Sequence, residues 1–421
     1  MGRYWHPFAD MAAVEAAGEL VVASGDGAYV VDESGRRYLD AAAGLWYCNV
    51  GHGRAELAEA AAEQIRRLAA YSTFGDIGVR PALALAERLA AIAPVPDSRV
   101  FLTSGGSDSV DTAVKLVRRY WQLLGRPDKT VVVSRRHAYH GMHVAGTSLS
   151  GIPVNRQGYG TLLGETVQVP WDSVSELAAV LDAVGPERVA AFFVEPVIGA
   201  GGVFPPPAGY LEGTEKVCRD RDVLLVVDEV ITGYGRIGGS WFASHRFGLQ
   251  PDVVTGAKGV TSGYLPLGTV LVGPRVAEPF WRSGTGQWRH GYTYSGHATA
   301  CAVALANLDL VEAEELLAAA ARLESDLDRH LESLEQHPLV QEVRRGTGAL
   351  AAVQLDPAAL AADPGLPNQV VLALRHQGVL TRALATGALQ ISPSFVTTEA
   401  DVRFLAEAIR AALDDVASTR G

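Results

Sequence analysis

Lys258 is the leading candidate for chemistry in this chain, because its neighbours in residues 255–260 (TGAKGV) are all small or apolar. Only four of the 36 basic residues are lysines, so a lysine in a setting without an adjacent carboxylate stands out. An amine, unlike a guanidinium, can lose its proton near neutral pH and form a Schiff base with a carbonyl group. A surface lysine in a flexible glycine loop is the alternative interpretation of this run alone.

A carboxylate follows an apolar strand about thirty residues earlier. Asp228 and Glu229 come directly after Val223–Val227, whose continuous apolar character predicts a buried strand. A carboxylate that faces a pyridine nitrogen keeps it protonated and preserves an electron sink for a carbanion. An aspartate that merely caps a turn is the alternative. A strand-end Asp228 together with a desolvated Lys258 is the pair that pyridoxal phosphate (PLP) chemistry requires.

Two further segments follow predicted strands and could bind a flat, phosphorylated ligand. Residues 103–109 (TSGGSDS) open a helix, where free N–H groups favour an anion, so Gly106 and Ser107 could bind a phosphate. Tyr139 follows another strand, and its ring could stack on a cofactor, since ligands collect at the carboxyl ends of strands in open α/β sheets. A serine-capped turn and a packed loop tyrosine are the alternatives.

Two other patterns carry weaker signals. His137, His140 and His143 lie close together, but no acidic or cysteine partner in that stretch indicates a metal, and we predict none. Residues 233–238 (GYGRIG) match the dinucleotide fingerprint G-x-G-x-x-G. Because the match is separated from the preceding strand and no clear helix follows it, we do not predict a nicotinamide or flavin site.

The elements that must position these residues are alternating helices and short apolar strands. Apolar runs separated by helical patterns are typical of a mostly parallel sheet covered on both faces. The predicted strands are 100–102, 131–133, 191–194, 223–227, 253–254 and 269–272. The predicted helices are 55–70, 80–92, 107–124, 173–184 and 208–221.

Both ends of the chain depart from this pattern. Residues 18–40 predict small β-hairpins. A long alanine-rich helical stretch covers about 298–333, and an α+β tail follows it, with a closing amphipathic helix at 399–416. The predicted strands of the tail are 349–355, 379–382 and 389–391. We therefore predict an α/β large domain over 56–310 and a smaller α+β domain built from 1–55 and 311–421.

Composition and charge restrict the class of protein. With 421 residues, 48% hydrophobic and 20% charged, the chain is globular and too long for one simple core. A net charge of −11 with interspersed signs argues against nucleic acid and favours small partners. Three widely spaced cysteines indicate a reducing compartment with neither disulfides nor zinc. The sequence predicts neither a signal peptide nor a membrane-spanning helix, so we expect a soluble, cytoplasmic protein.

Several motifs together resemble those of the class III PLP-dependent aminotransferases, and most closely those of the ω-transaminases that use pyruvate as amino acceptor. They are residues 6–8 (HPF), 44–46 (GLW), 49–51 (NVG), 139–141 (YHG), 195–196 (EP), 228–230 (DEV), 258–259 (KG), 262–268 (SGYLPLG) and 292–297 (YTYSGH). The motifs run in order over nearly the whole chain, which makes the resemblance specific. It implies fold type I of the PLP-dependent transferases and a homodimer with active sites at the interface. It also implies ping-pong transfer of an amino group from a primary amine or ω-amino acid to a 2-oxo acid such as pyruvate.

The resemblance implies roles for residues around the cofactor. Lys258 would bind PLP covalently and, once displaced, would move the proton between substrate carbon and cofactor. Asp228 would pair with the pyridinium nitrogen, and Tyr139 and Val230 would hold the ring from its two faces.

Further residues would hold the phosphate and the substrate. Gly106 and Ser107 would bind the phosphate, and Thr293 of the partner subunit would add a donor. Aromatic residues would line the substrate pocket, and an arginine would swing in to bind a carboxylate and out for an uncharged amine. The pocket residues are Phe8, Trp46, Phe74 and Arg382.

Two departures from the family pattern bear on specificity, and a third does not. Ile198 replaces a glutamine that many relatives place near the ring oxygen of the cofactor, so that hydrogen bond is not expected here. Ala200 stands where the ornithine and acetylornithine branches carry a glutamate that pairs with the arginine, so Arg382 should move more freely. This favours the ω-amine:pyruvate branch. Residues 104–105 are Ser-Gly where relatives commonly have Asn-Ser, which recognition by the backbone tolerates.

Two alternative functions stay open at this point. Aminomutases, decarboxylases and phospho-lyases of class III share the lysine and aspartate, so the motifs do not separate them from transaminases. A binding or regulatory module with the same fold but no activity is the other alternative. The intact Lys258 and the acidic charge argue against it.

Overall fold

The computed structural model describes residues 3–419, and its strands and helices are numbered here in chain order. Met1 and Gly2, on which part of the signal-peptide expectation rests, lie outside the described residues. The strands are β1 (Val22–Asp26), β2 (Tyr29–Asp32), β3 (Arg37–Asp40), β4 (Arg99–Thr103), β5 (Val131–Arg135), β6 (Thr166–Val169), β7 (Val189–Val194), β8 (Leu224–Asp228), β9 (Val253–Gly256), β10 (Gly268–Val272), β11 (Val340–Arg344), β12 (Ala351–Leu355), β13 (Val379–Leu380) and β14 (Ala388–Ile391). The helices are α1 (Met11–Ala17), α2 (Ala43–Trp46), α3 (Ala55–Leu68), α4 (Arg80–Ile92), α5 (Gly106–Leu123), α6 (Val144–Leu149), α7 (Val174–Val184), α8 (Tyr210–Asp220), α9 (Ala243–Arg246), α10 (Pro274–Trp281), α11 (Ala298–Ala313), α12 (Leu316–Leu331), α13 (Pro357–Ala362), α14 (Leu366–His376) and α15 (Glu399–Ser418).

A seven-stranded sheet occupies the middle of the chain, in the order β4-β10-β9-β8-β7-β5-β6. Only β10 runs antiparallel to its neighbours, so the sheet is mostly parallel, as predicted. Its central strands are buried on both faces, because α5 packs on one face and α7 and α8 pack on the other. This layering confirms the predicted α/β fold of type I. No helix among residues 3–419 has the length and apolar character needed to span a membrane.

The two ends of the chain form a smaller α+β part. Strand β13, near the C-terminus, pairs in parallel with β3 and completes the sheet β1-β2-β3-β13. Strands β11, β12 and β14 form a second, antiparallel sheet, against which α12, α14 and α15 bury their apolar faces. Helix α11 continues to Ala313, past the predicted domain boundary at 310. The exact boundaries at 55 and 310 stay predictions.

Several elements differ from the sequence-based expectation. Strand β8 ends on Asp228 itself, so this carboxylate belongs to the ladder instead of following it. The predicted strand 379–382 pairs only over Val379–Leu380, and the alanine-rich stretch breaks at Glu315, whose φ is +53°. Strands β6 and β11 were not predicted because both are short, partly exposed edge strands without a continuous apolar run.

Residues 233–238, the dinucleotide-like match, form a buried turn that joins the central sheet to the two ends of the chain. Arg236 is fully buried and donates from Nη2 to Asn49 Oδ1 at 2.5 Å. Its Nη1 donates to three backbone carbonyls near the C-terminus. These belong to Ala349 (3.3 Å), Ser392 (3.2 Å) and Pro393 (2.5 Å). A Cβ on Gly235 would lie 2.7 Å from Leu317, and its φ is +93°, so the glycine serves close packing and not a ligand.

Replacing Arg236 by methionine should lower the free energy of unfolding by about 3 kcal/mol, because buried carbonyls would lose their donor. The measurement is urea unfolding followed by tryptophan fluorescence at a fixed protein concentration. The matched control is Arg66→Met, since Arg66 is exposed and pairs only with exposed Glu59. The control should change stability by no more than about 0.5 kcal/mol. Equal urea midpoints for the two variants would contradict the structural role of Arg236.

Candidate active site

A cavity of about 120 Å³ lies at the carboxyl ends of the parallel strands. It is built by the segments that follow β4, β5, β7, β8 and β9, where ligands of open α/β sheets collect. The residues that line it are Gly106, Ser107, Val110, Tyr139, His140, Gly141, Glu195, Asp228, Val230, Ile231 and Lys258. Six of the predicted cofactor residues therefore lie around one cavity: Gly106, Ser107, Tyr139, Asp228, Val230 and Lys258.

Lys258 follows β9 and has a φ of +47°, in the left-handed region that non-glycine residues rarely adopt. Such strain costs about 1–3 kcal/mol and persists where the surroundings hold the backbone in place. Its Nζ lies 5.9 Å from the centroid of the Trp46 ring and makes no hydrogen bond or ion pair within residues 3–419. Burial lowers the pKa of Lys258 to about 8, although Asp228 and Glu195 act in the opposite direction. The amine is therefore available as a nucleophile near neutral pH.

Asp228 is held by two neighbours at the end of β8. His140 Nδ1 lies 2.7 Å from Asp228 Oδ2, and the backbone N–H of Val230 donates to Oδ1 at 3.1 Å. Both side chains of the aspartate–histidine pair are buried. His140 was noted in the sequence in a histidine cluster and in the motif at 139–141, but no role was predicted for its side chain. Its partner Asp228 lies 88 residues further along the chain, so no local sequence pattern pointed to this contact.

Glu195 is a second buried carboxylate beside the cavity, and no role was predicted for it beyond its place in the motif at 195–196. Its two oxygens accept the backbone N–H groups of Tyr139 and Gly199, each at 3.0 Å. Burial raises the pKa of Glu195, and the guanidinium of buried Arg135 donates to its backbone carbonyl. Glu195 therefore fixes the main chain that presents the Tyr139 ring.

Helix α5 begins at Gly106 and points its N-terminus into the cavity. A Cβ on Gly106 would lie 2.8 Å from Val230 Cγ1, so a glycine is needed for Val230 to approach this closely. The hydroxyl of Ser107 accepts from the N–H of Met142 at 3.1 Å, which ties the helix start to the segment after Tyr139. The N-terminus of an 18-residue helix favours an anion at this end of the cavity.

Trp46 and Arg382 lie beside Lys258, although they come from opposite ends of the chain. Arg382 Cζ lies 4.5 Å from the centroid of the buried Trp46 ring. Burial lowers the pKa of Arg382. Ile198 is fully buried, and its backbone pairs with that of Phe204, so it presents no polar group in place of the family's glutamine.

Three predicted residues do not meet the others within one chain. Phe8 and Phe74 are 74% and 58% exposed, and Thr293 is exposed as well. Phe74 and Thr293 share a separate hollow of about 270 Å³ with Tyr71 and Tyr294. The family resemblance implies that Thr293 acts in the site of a partner subunit, and this role stays a prediction, as do the roles of the two phenylalanines.

Comparisons with known proteins agree with the motifs. Residues 11–413 match the family model for aminotransferase class-III. A diaminobutyrate–2-oxoglutarate transaminase of Halomonas elongata is 38% identical over 414 residues, which cover 91% of this chain and 87% of that protein. A putrescine–pyruvate aminotransferase of Pseudomonas aeruginosa is 36% identical over 434 residues, which cover 98% and 94% of the two chains.

The structural comparison points the same way. The crystal structure of the ω-transaminase from Pseudomonas jessenii in complex with PMP superposes with a TM-score of 0.94 at 36% identity. The match covers 99% of this chain and 96% of that chain. The family expected from the sequence is confirmed, and the chain belongs to the class III aminotransferases.

Proposed function

We propose that this aminotransferase moves an amino group from a primary amine or ω-amino acid to a 2-oxo acid such as pyruvate, with PLP as cofactor and by a ping-pong mechanism. The observation that carries the proposal is the unpaired amine of Lys258, whose pKa is lowered to about 8 in a cavity that also contains Asp228. Two comparisons support the proposal. One relative is named as a putrescine–pyruvate aminotransferase, and one similar crystal structure is a complex with PMP.

The residues around the cavity fit PLP in chemical type. The cavity offers an amine for the aldehyde, a carboxylate for the ring nitrogen, and a helix N-terminus for the phosphate. An apolar side chain, Val230, and an aromatic ring, Tyr139, are present for the faces of the pyridine. The site includes no polar side chain at Ile198, so recognition of the ring oxygen would not come from that position.

When bound, PLP supplies the electron sink that stabilises a carbanion at the substrate carbon. Lys258 would bind the cofactor and afterwards accept and return the proton at its Nζ. Asp228, oriented by His140, would hold a negative charge towards the ring nitrogen. Glu195 would keep Tyr139 in place through the Tyr139 N–H. Asp228 and Tyr139 are already held in place by hydrogen bonds, so little reorganisation of these two residues would accompany the reaction.

Pyruvate is proposed as acceptor because the cavity offers one cation for one carboxylate. The residues that line it include no arginine, and Arg382 lies beside it, against Trp46. A dicarboxylate such as 2-oxoglutarate would need a second cation or a hydrogen-bonding group in its place. We therefore favour the pyruvate-dependent ω-amine branch over the acceptor of the diaminobutyrate relative.

A homodimer is the proposed assembly, and a reducing cytoplasm the proposed location. Phe74, Tyr71 and Tyr294 expose a cluster of aromatic surface around Thr293, as expected for a face that a second copy covers. In this arrangement Thr293 of the partner subunit would complete the phosphate site. The three cysteines are buried and free, which fits a compartment without disulfide formation.

Purified protein with added PLP should be yellow, lose that absorbance with an amine donor and regain it with pyruvate, while alanine accumulates. Lys258→Ala should abolish turnover. The control Lys216→Ala removes an exposed surface lysine that pairs with Asp220, and it should leave turnover unchanged. Alanine is quantified by chromatography, together with ammonia and carbon dioxide. Release of ammonia or carbon dioxide without alanine would favour the lyase or decarboxylase alternative. Turnover by Lys258→Ala would refute the assigned role of the lysine.

The Lys258 amine of the cofactor-free protein should react as a free base with a midpoint near pH 8. Because burial disfavours the ammonium form, the rate at which the Lys258 amine reacts with the reagent should rise between pH 7 and 9 and then level off. The measurement is pulse labelling with an amine-reactive reagent, quantified by mass spectrometry, with Lys216 as internal reference for the reagent. Asp228→Asn should move the midpoint to lower pH, because Asp228 favours the ammonium. A midpoint near the ordinary lysine value of about 10.4 would contradict the desolvated setting.

A further inference from the structure

Arg382 is a cation without a carboxylate partner. Within residues 3–419 it forms no ion pair with a carboxylate. The guanidinium lies 4.5 Å from the Trp46 ring centroid, which is a favourable but weak contact. Its position therefore depends on the hydrogen bond that it does make.

That hydrogen bond goes to Gln390, a fully buried glutamine in β14. Arg382 Nε donates to Gln390 Oε1 at 2.8 Å, and the Gln390 N–H donates to the Arg382 carbonyl at 3.0 Å. The two terminal nitrogens of Arg382 are left without a hydrogen bond in the described chain. They are the pair of donors that bind a carboxylate in the bidentate manner. Gln390 thus holds the arginine from behind and leaves its binding end free.

The orientation of the Gln390 amide is fixed by its other end. Gln390 Nε2 lies 2.7 Å from Ser392 Oγ, and the Ser392 hydroxyl lies 3.2 Å from the carbonyl oxygen of Ala42. The hydroxyl hydrogen serves that carbonyl, so Ser392 accepts from Nε2, and Oε1 must face Arg382. Three hydrogen bonds run in one direction, from Arg382 through Gln390 and Ser392 to Ala42, and such chains strengthen their members.

This series of hydrogen bonds ends at Ala42, next to the turn that carries Trp46. Ala43, Gly44 and Trp46 all have positive φ, at +45°, +63° and +61°. The carboxylate of Asp40 accepts from the N–H groups of Ala42 (3.2 Å) and Gly44 (2.7 Å), which holds this strained turn in place. Gln390 therefore connects the arginine to a rigid turn that also forms the wall on which the arginine rests.

We infer that Gln390 is a positioning residue that holds Arg382 beside the cavity and so sets the preference for amines that carry a carboxylate. The inference rests on the proposed function, because it requires that the protein accepts both ω-amino acids and uncharged amines. With Arg382 docked, a carboxylate meets a prepositioned pair of donors. An uncharged amine has to displace the arginine, which breaks the hydrogen bond to Gln390. The strength of that hydrogen bond therefore sets the free-energy cost of the displacement.

The test compares 4-aminobutyrate with butylamine, which differ in the carboxylate, in single-turnover bleaching of the PLP-loaded enzyme. Gln390→Leu should raise the apparent dissociation constant of 4-aminobutyrate about tenfold, since a hydrogen bond to a charged group is lost. The limiting rate of bleaching should stay the same, and the constant for butylamine should not rise. The matched control is Gln354→Leu, because Gln354 is a buried glutamine that bonds to Arg344 and Thr386 instead. It should change neither constant.

A double-mutant cycle with Arg382→Met separates docking from a merely structural role. If Gln390 acts through Arg382, Gln390→Leu has no further effect on either donor once the arginine is gone. Equal changes for both donors in Gln390→Leu, or full additivity in the cycle, would overturn the inference. Should Gln390→Leu not fold, Ser392→Ala releases the same dock, and its effect on 4-aminobutyrate should have the same direction and be smaller.

Calorimetric titration with butyrate adds a readout that needs no turnover. Butyrate carries the carboxylate but no amine, and Gln390→Leu should weaken its binding about tenfold, as for 4-aminobutyrate. Unchanged butyrate affinity would count against the dock. If neither donor bleaches the wild-type enzyme, the proposed function fails instead, so the two failures can be told apart.

Discussion

The fully buried guanidinium of Arg236 joins the parts of the chain that build the site. It lies in the turn after β8 and binds Asn49 from the N-terminal part and carbonyls of Ser392 and Pro393 from the C-terminal part. Lys258 belongs to the central sheet, whereas Trp46 and Arg382 come from the two ends. The distances among these three side chains depend on how the ends are held against the sheet, and Arg236 makes that connection directly.

Several side chains around the cavity are each held in place by a buried neighbouring residue. His140 orients Asp228, Glu195 fixes the backbone of Tyr139, and Gln390 holds Arg382. Each of these supporting residues is buried, and each satisfies a group that would otherwise be costly in an apolar setting. Lys258 differs from them, because within residues 3–419 its amine makes no hydrogen bond or ion pair, and burial lowers its pKa. The amine that has to react is thus left free, as are the two terminal nitrogens of Arg382 that could bind a carboxylate.

The sequence predicted the central sheet well because its strands are continuous apolar runs and its chemistry follows strand ends. Lys258, Asp228, Tyr139, Gly106 and Ser107, which line one cavity, could be located in this way, and the family resemblance added Val230. The supporting residues could not be found, since His140, Gln390 and Arg236 owe their roles to contacts between segments far apart in the chain. Edge strands such as β6 were missed for a related reason: half-exposed segments leave only a short polar–apolar alternation.

The pairing of β13 with β3 has a consequence for the order in which the protein is made. Val379 is synthesised 340 residues after Leu39, its partner in the register, and only then can the N-terminal sheet gain its last strand. Arg382 and Gln390 follow within the next few residues. The lysine and aspartate of the central sheet can therefore fold into place early, while the wall of the substrate cavity closes late, because long-range pairings form after local ones. During synthesis the lysine and aspartate would thus be in place before the residues that distinguish one amine donor from another.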